Sequence, residues 1–234
     1  MNPFKIALAT LLLFASCTAQ EENITTDPQP GPILEAGLSY LALGDSYTIG
    51  QSVTQEQRWP VLLVKEIRNS GRQIQSPDII ATTGWTTANL LNALNGKPII
   101  KKYDLVSLLI GVNNQYQGRS LEEYRLEFRE LLQKSISYSS GGSSKVFVLS
   151  TPDWGVTPYG SGSDMDRIAR EIDQFNAVAR EECERRSVSF IDITPTSRLA
   201  FNDPSMVASD RLHFSGKMHQ LWVEQALPFV KQKL

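Results

Sequence analysis

The sequence predicts an α/β protein, a three-layer α/β/α sandwich around a central, mainly five-stranded parallel sheet. Three observations carry that expectation. From residue 38 onward, short aliphatic and β-branched runs alternate with helical patterns. Several of those runs are apolar almost without a break, the mark of strands covered on both faces. Reactive and hydrogen-bonding side chains gather where the runs end, at the carboxyl edge where open α/β sheets bind their ligands.

Taken in order, the strand candidates are Leu38–Leu43, Asp78–Ala81, Asp104–Ile110, Lys145–Ser150 and Ser187–Ile193. Between the first two, Trp59-Pro60-Val61-Leu62-Leu63-Val64 opens a helix, with proline accommodated in the first turn. Thr87–Leu94 reads as a shorter one. Leu121, Tyr124, Phe128, Leu131 and Leu132 fall at helical spacing behind Ser120 and Glu123, a capping-box pair. Met165, Ile168, Ile172, Phe175 and Ala179 make a fourth helix, with Ser163 and Asp166 in the same capping arrangement. A last helix starts near Ser215, and Pro228 is expected to kink or end it.

The N-terminus reads differently. Lys5 supplies a positive n-region, and Ile6 to Phe14 form an apolar core too short to span a bilayer. Phe14-Ala15-Ser16-Cys17 resembles the lipobox of bacterial lipoproteins, with phenylalanine at the first position. That resemblance implies lipidation of Cys17 and anchoring in the membrane by several acyl chains; the alternative is a conventional signal peptide cut near Ala19. The expected organisation is a signal peptide over 1–16, a lipidated N-terminus and tether over 17–37, and one folded domain over 38–234. Without Cys17 only Cys183 remains, so no intramolecular disulfide can form, and Cys183 lies in a helical pattern as a structural thiol. The chain is therefore expected to be exported to the cell envelope.

Composition narrows the function. The chain has 234 residues, is 41% hydrophobic and carries a net charge of −2, which suits one domain and gives no electrostatic case for nucleic acid. It contains no internal repeat, P-loop, His-Glu-x-x-His or Cys-x-x-Cys. Two histidines and two cysteines so far apart are poorly suited to a zinc site, and no metal or other cofactor is expected.

At the strand ends stand Gly44-Asp45-Ser46, Thr82-Thr83-Gly84-Trp85, Gly111-Val112-Asn113-Asn114-Gln115 and Thr151-Pro152-Asp153-Trp154, with Asp210-Arg211-Leu212-His213 after the fifth. A serine attacks well only when a base takes its proton. Histidine does so near neutral pH, and a carboxylate on the far ring nitrogen fixes the tautomer. Ser46 is the nucleophile candidate and His213 the base candidate, with His219 its competitor in a helical, packing context. Asp210 is three residues before His213, while Asp153 and Asp192 are alternative acids. Acyl transfer also needs fixed donors for an oxyanion, and the Ser46 and Gly84 amides and the Asn113 side chain are candidates. Asp45 is expected to order the turn rather than react. Trp85, Tyr116 and Trp154 are either an aromatic substrate rim or half-buried structural aromatics.

Together, Gly44-Asp45-Ser46, Gly84, Gly111-x-Asn113 and Asp210-x-x-His213 resemble the four blocks of the GDSL, or SGNH, hydrolases in order and spacing. The resemblance implies a flavodoxin-like sandwich and metal-free ester hydrolysis. It also implies Ser46 as nucleophile, Asp210 and His213 as its triad partners, and Ser46, Gly84 and Asn113 as the oxyanion hole. Two positions depart from the usual pattern: Asn114 stands where an aspartate is common, and Phe214 where a proline often follows the histidine. No Gly-x-Ser-x-Gly elbow is present, which argues against a classical α/β-hydrolase.

The expected activity is a serine esterase acting through an acyl-enzyme on short-chain or O-acetyl-glycan esters. The alternatives are a lysophospholipase or thioesterase, and a non-catalytic envelope protein that binds a glycan or lipid in the same cleft.

Overall fold

The structure is a computed structural model, and it describes residues 37–234. Five parallel strands form one sheet in the order β2-β1-β3-β4-β5: β1 Tyr40–Gly44, β2 Asp78–Ala81, β3 Leu105–Leu109, β4 Val146–Leu149 and β5 Ser189–Ile191. The main helices are α1 Ser46–Ile49, α2 Trp59–Asn69, α3 Thr87–Gly96, α4 Val112–Tyr116, α5 Leu121–Tyr138, α6 Met165–Arg185, α7 Thr194–Ser197 and α8 Gly216–Lys231. The fold class is the one expected. Leu38 forms only an isolated bridge to Ile74, so the first strand begins later than its apolar run.

Strand alternation sorts the core into two layers. Tyr40 and Ala42 of β1, Leu105 and Leu109 of β3, and Phe147 and Leu149 of β4 meet α2 and α8 through Trp59, Leu63, Ile67, Met218 and Trp222. Their neighbours Leu41, Leu43, Val106, Leu108, Val146 and Val148 meet α3, α5 and α6 through Leu90, Phe128, Leu131 and Phe175. Covering both faces is what makes the central strands continuously apolar. Each fully buried large side chain contributes roughly 1.5–3 kcal/mol of transfer free energy, and truncating Phe128 would cost about 3–5 kcal/mol. One polar pair sits within this interior, where the Tyr40 hydroxyl and Ser107 hydroxyl hydrogen bond at 2.8 Å across neighbouring strands.

Helix boundaries follow local chemistry. Ser120 caps α5 by accepting the Glu123 N–H, one half of the expected capping box. For α6 the cap is Asp164, which accepts the Arg167 N–H, rather than Ser163; a carboxylate at this position also complements the helix dipole. Pro228 neither ends nor replaces a turn of α8, which continues to Lys231. Its missing N–H costs one bond, and the apolar contacts of Ala226 and Val230 on either side hold the helix in place. The N-terminus of α2 is capped from a distance: the Trp59 N–H donates to His219 Nδ1 of α8 at 3.1 Å.

The winding direction reverses between β1 and β3, because the chain first moves to β2 on one side and then returns to β3 on the other. A crevice opens outside the carboxyl ends of strands at such a point. Among the described residues no helix is long and apolar enough to cross a membrane, and the signal-peptide, Cys17 and most of the tether assignments lie outside the described residues.

Candidate active site

The last residue of β1, Gly44, is a glycine because its neighbours come too close for any side chain. A Cβ there would lie 2.2 Å from Thr48 Oγ1 and 2.5 Å from the Leu109 carbonyl oxygen. The chain then turns directly into α1. Asp45 is its cap, with Oδ1 accepting the Tyr47 N–H at 3.0 Å, and the Asp45 carbonyl takes the N–H groups of Thr48 and Ile49. Of the first-turn donors only the Ser46 N–H has no acceptor among the described residues, as helix starts leave such donors. Asp45 itself is fully buried, and burial pushes its carboxyl up to about 7 against the lowering effect of the backbone N–H bonds.

Ser46 and His213 meet at one small cavity of about 150 Å3, lined also by Tyr47, Val112, Asn113, Tyr116, Trp154, Tyr159 and Leu212. His213 is held from behind. Its Nδ1–H donates to Asp210 Oδ2 at 2.7 Å, which leaves Nε2 as the nitrogen available to a hydroxyl. Asp210 Oδ1 accepts the backbone N–H groups of Leu212 and His213, each at 2.9 Å. Its Oδ2 also accepts the Ser52 hydroxyl at 2.6 Å. The carboxylate thus takes four hydrogen bonds, close to its full acceptor capacity. Partial burial pushes its pKa upward, but the Ser52, Leu212 and His213 bonds outweigh that and hold it at about 2.

Arg211 lies between these residues at φ 67°, a left-handed position that a non-glycine residue adopts only under local constraint. The constraint is visible. Its carbonyl accepts the Tyr159 N–H at 2.9 Å, and the Ala208 N–H donates to the His213 carbonyl at 2.7 Å. Tyr47 packs edge-on against the His213 ring, with centroids 5.6 Å apart. Phe214 is buried against Tyr47 and Trp222, so in place of the common proline it anchors the loop by packing.

The competing residues have other partners. His219 is buried, caps α2 and stacks on Trp222 at 4.8 Å; burial drives its pKa down to about 3. Asp153 bonds Arg198 and the Gly155 N–H, and Asp192 bonds Ser150 and Arg180. Cys183 is buried, and burial pushes its thiol up to about 12.

Asn113 lines the cavity and its Nδ2 donates to the Trp85 carbonyl at 2.9 Å, leaving its second N–H for a ligand. Gly84, next to Trp85, has φ 84° and is solvent-exposed, so its turn needs glycine without any crowding. Trp85 does not line this cavity. Its ring packs against the α3 side of the sheet and edges a separate depression with Ile80, Ala93 and Ile99. Asn114 ties the site to α3: its Oδ1 accepts the Thr87 N–H at 3.0 Å and its Nδ2 donates to Thr87 Oγ1 at 2.6 Å. The Thr87 hydroxyl in turn donates to Glu127. An amide serves both Thr87 groups and leaves that hydroxyl's proton for Glu127, which an ionised aspartate cannot do.

Tyr116 and Trp154 do stand over the cavity, with ring centroids 5.3 Å apart. Sequence reasoning missed Tyr159, whose hydroxyl hydrogen bonds that of Tyr116 at 2.8 Å; its place in a Pro-Tyr-Gly turn after β4 was the available signal. It also missed Tyr47 and Ser52. Tyr47 directly follows the serine, but nothing in the local pattern around Ser52 points to Asp210. Among the described residues no group of three or more His, Cys, Asp or Glu side chains is arranged to hold a metal ion.

The chain is 27% identical over 155 residues to an acetylxylan esterase of Geobacillus stearothermophilus, a match covering 59% of this chain and 64% of that relative's length. A crystal structure of an acetylxylan esterase from that organism superposes with a TM-score of 0.65 at 20% identity, covering 83% of this chain and 94% of that one. The lipase/acylhydrolase from Enterococcus faecalis superposes with a TM-score of 0.65 at 20% identity, over 84% and 97% of the two chains. At that identity the superpositions speak for the fold. Residues 42–221 match the family model described as the GDSL-like lipase/acylhydrolase family, and the chain belongs to that family.

Proposed function

We propose that this protein is a serine esterase that hydrolyses carboxylic esters of short acyl groups through an acyl-enzyme, with O-acetylated glycans as its substrate class. The observation that carries the reading is the Asp210–His213 pair, 2.7 Å apart, facing Ser46 across a cavity of about 150 Å3. That volume is well below the roughly 300–1,000 Å3 typical of drug-sized ligand sites, so it suits an acetyl or similarly short group. The acetylxylan esterase relative supports the same substrate class.

In this mechanism Ser46 Oγ attacks the ester carbonyl carbon while its proton passes to His213 Nε2. Asp210 stabilises the resulting imidazolium and holds the ring's orientation. The carbonyl oxygen becomes an oxyanion, received by the Ser46 N–H, the free Asn113 N–H and the Gly84 N–H. Collapse breaks the bond to the alcohol oxygen, which leaves with the proton from His213. Water then attacks the acyl-enzyme, gives a proton to His213 and releases the carboxylic acid as Ser46 recovers its own. Each step uses groups of this chain and water alone.

The test is a series of p-nitrophenyl acetate, butyrate, octanoate and laurate beside acetylated xylo-oligosaccharides, with wild type and Ser46→Ala. Acetate is expected to be the best simple ester and the alanine variant inert, including toward fluorophosphonate labelling. Full activity in the variant would sink the reading. We also propose export and lipid anchoring through Cys17; mass spectrometry of the mature N-terminal peptide tests this, and an unmodified N-terminus at another residue would refute it.

A further inference from the structure

Behind the aromatic wall of the acyl cavity lies a second depression of about 510 Å3, sharing Tyr116 and Trp154 with it. Its lining is polar and carries Gln115, Arg119, Arg167, Glu171 and Gln174. A hydrogen-bonded chain joins the two spaces. The Trp154 indole N–H donates to Gln115 Oε1 at 2.8 Å, Gln115 Nε2 donates to Glu171 at 2.7 Å, and Arg167 donates to Glu171 at 2.8 Å.

Both arginines of this groove have a carboxylate neighbour. Arg167 pairs with Glu171, and Arg119 lies 3.6 Å from Glu123. The lining also includes Leu121 and Phe175, but its surface is mainly polar. What remains is a set of planar donors and acceptors fixed side by side, suited to hydroxyl groups that both donate and accept. Beside it stand two tyrosine rings that are 54% (Tyr116) and 49% (Tyr159) exposed, joined through their hydroxyls. Such rings offer flat apolar faces with a polar edge, complementary to the C–H face of a pyranose.

Resting on the esterase reading, we propose that this groove is the subsite for the alcohol part of the substrate, and that it takes an uncharged glycan chain. The sugar lies against Tyr116 and Tyr159, further residues of the chain enter the groove at Arg119 and Gln174, and the acyl group points into the cavity at Ser46. Small esters then depend on the cavity alone, whereas glycan esters draw binding energy from both spaces.

The experiment compares kcat/KM for acetylated xylo-oligosaccharides with that for p-nitrophenyl acetate in wild type, Arg119→Ala, Gln174→Ala and the double variant. The ratio of glycan ester to p-nitrophenyl ester is expected to fall about tenfold in the double variant, mainly through a raised KM. A ratio that does not move overturns the groove assignment while leaving the esterase reading intact. In parallel, unacetylated xylo-oligosaccharides are titrated calorimetrically into Ser46→Ala, with and without the two groove substitutions. Binding that the groove substitutions weaken supports the subsite even if no ester is turned over. Absence of binding at millimolar ligand, or stronger binding of a sulfated oligosaccharide than of the neutral one, refutes it.

Discussion

The Ser52 hydroxyl lies 2.6 Å from Asp210 Oδ2, the same oxygen that accepts the His213 ring N–H. Ser52 holds this position at φ 64°, a conformation that costs a non-glycine residue about 1 kcal/mol or more. The neighbouring Gln51 accepts the Thr83 hydroxyl at 2.7 Å, one residue before Gly84. One short loop thus braces both the acid and the glycine turn. In the proposed mechanism Ser52 is therefore a positioning residue, and Ser52→Gly separates its two contributions. Glycine relieves the backbone, so the melting temperature should hold or rise, while kcat falls severalfold with KM unchanged. Ser52→Asn, which tolerates the same backbone and carries an N–H donor, should recover part of kcat. Equal kcat in the glycine variant would remove the role.

Asp210→Asn should lower kcat by a factor on the order of 10³–10⁴, because an amide cannot stabilise the imidazolium or enforce the tautomer. Asp192→Asn is the control, since Asp192 bonds Ser150 and Arg180 away from His213. Steady-state kinetics on p-nitrophenyl acetate separates them, and comparable losses in both would contradict the geometry.

Two buried groups should give the stability opposite pH dependences. Burial raises Asp45 from 3.8 to about 7, so it keeps a proton that the unfolded chain has released; its contribution is complete below about pH 4 and is lost as pH rises toward 7. Burial lowers His219 from 6.5 to about 3, so it stays neutral while the unfolded chain gains a proton. Its contribution is complete above about pH 6.5 and is lost as pH falls toward 3. Over pH 4.5–6 each slope approaches about 1.4 kcal/mol per pH unit, and the two largely cancel. Urea melts of Asp45→Asn should show stability rising with pH, and those of His219→Gln stability falling with it. Slopes of the same sign would show that one of the two does not titrate in this way.

Glycine is required at Gly44 and Gly84 for different reasons, and alanine should tell them apart. At Gly44 the added carbon meets Thr48 Oγ1 and the backbone of β3, and overpacking of this kind costs about 3 kcal/mol or more. At Gly84 nothing lies within 4 Å, so only the left-handed backbone resists, for about 1 kcal/mol. Denaturant midpoints should rank Gly44→Ala far below Gly84→Ala; the reverse order would contradict the close approach of β1 and β3.

Much of this architecture was legible because it rests on repeated, local signals. Strands such as Leu105–Leu109 are buried on both faces and announce themselves as apolar runs. Asp210 and His213 are close in sequence, so their pairing needed only one turn of loop. What stayed hidden depends on contacts between distant segments. Ser52 and Asp210 are 158 residues apart, and Trp85 turns to the α3 side of the sheet although it follows a strand-end glycine. Asp164 displaced Ser163 as a cap because the two fit helix starts one residue apart, Ser163 facing the Asp166 N–H and Asp164 the Arg167 N–H, and spacing alone does not rank them.

The bond from Trp59 N–H to His219 Nδ1 ties the helix that follows Ser46 to the helix that follows His213. During synthesis Ser46 leaves the ribosome well before His213 and α8. A nascent chain therefore carries Ser46 without its proposed base, and α2 without this cap, until α8 docks. Ester turnover would in this sense report that α8 has docked on α2.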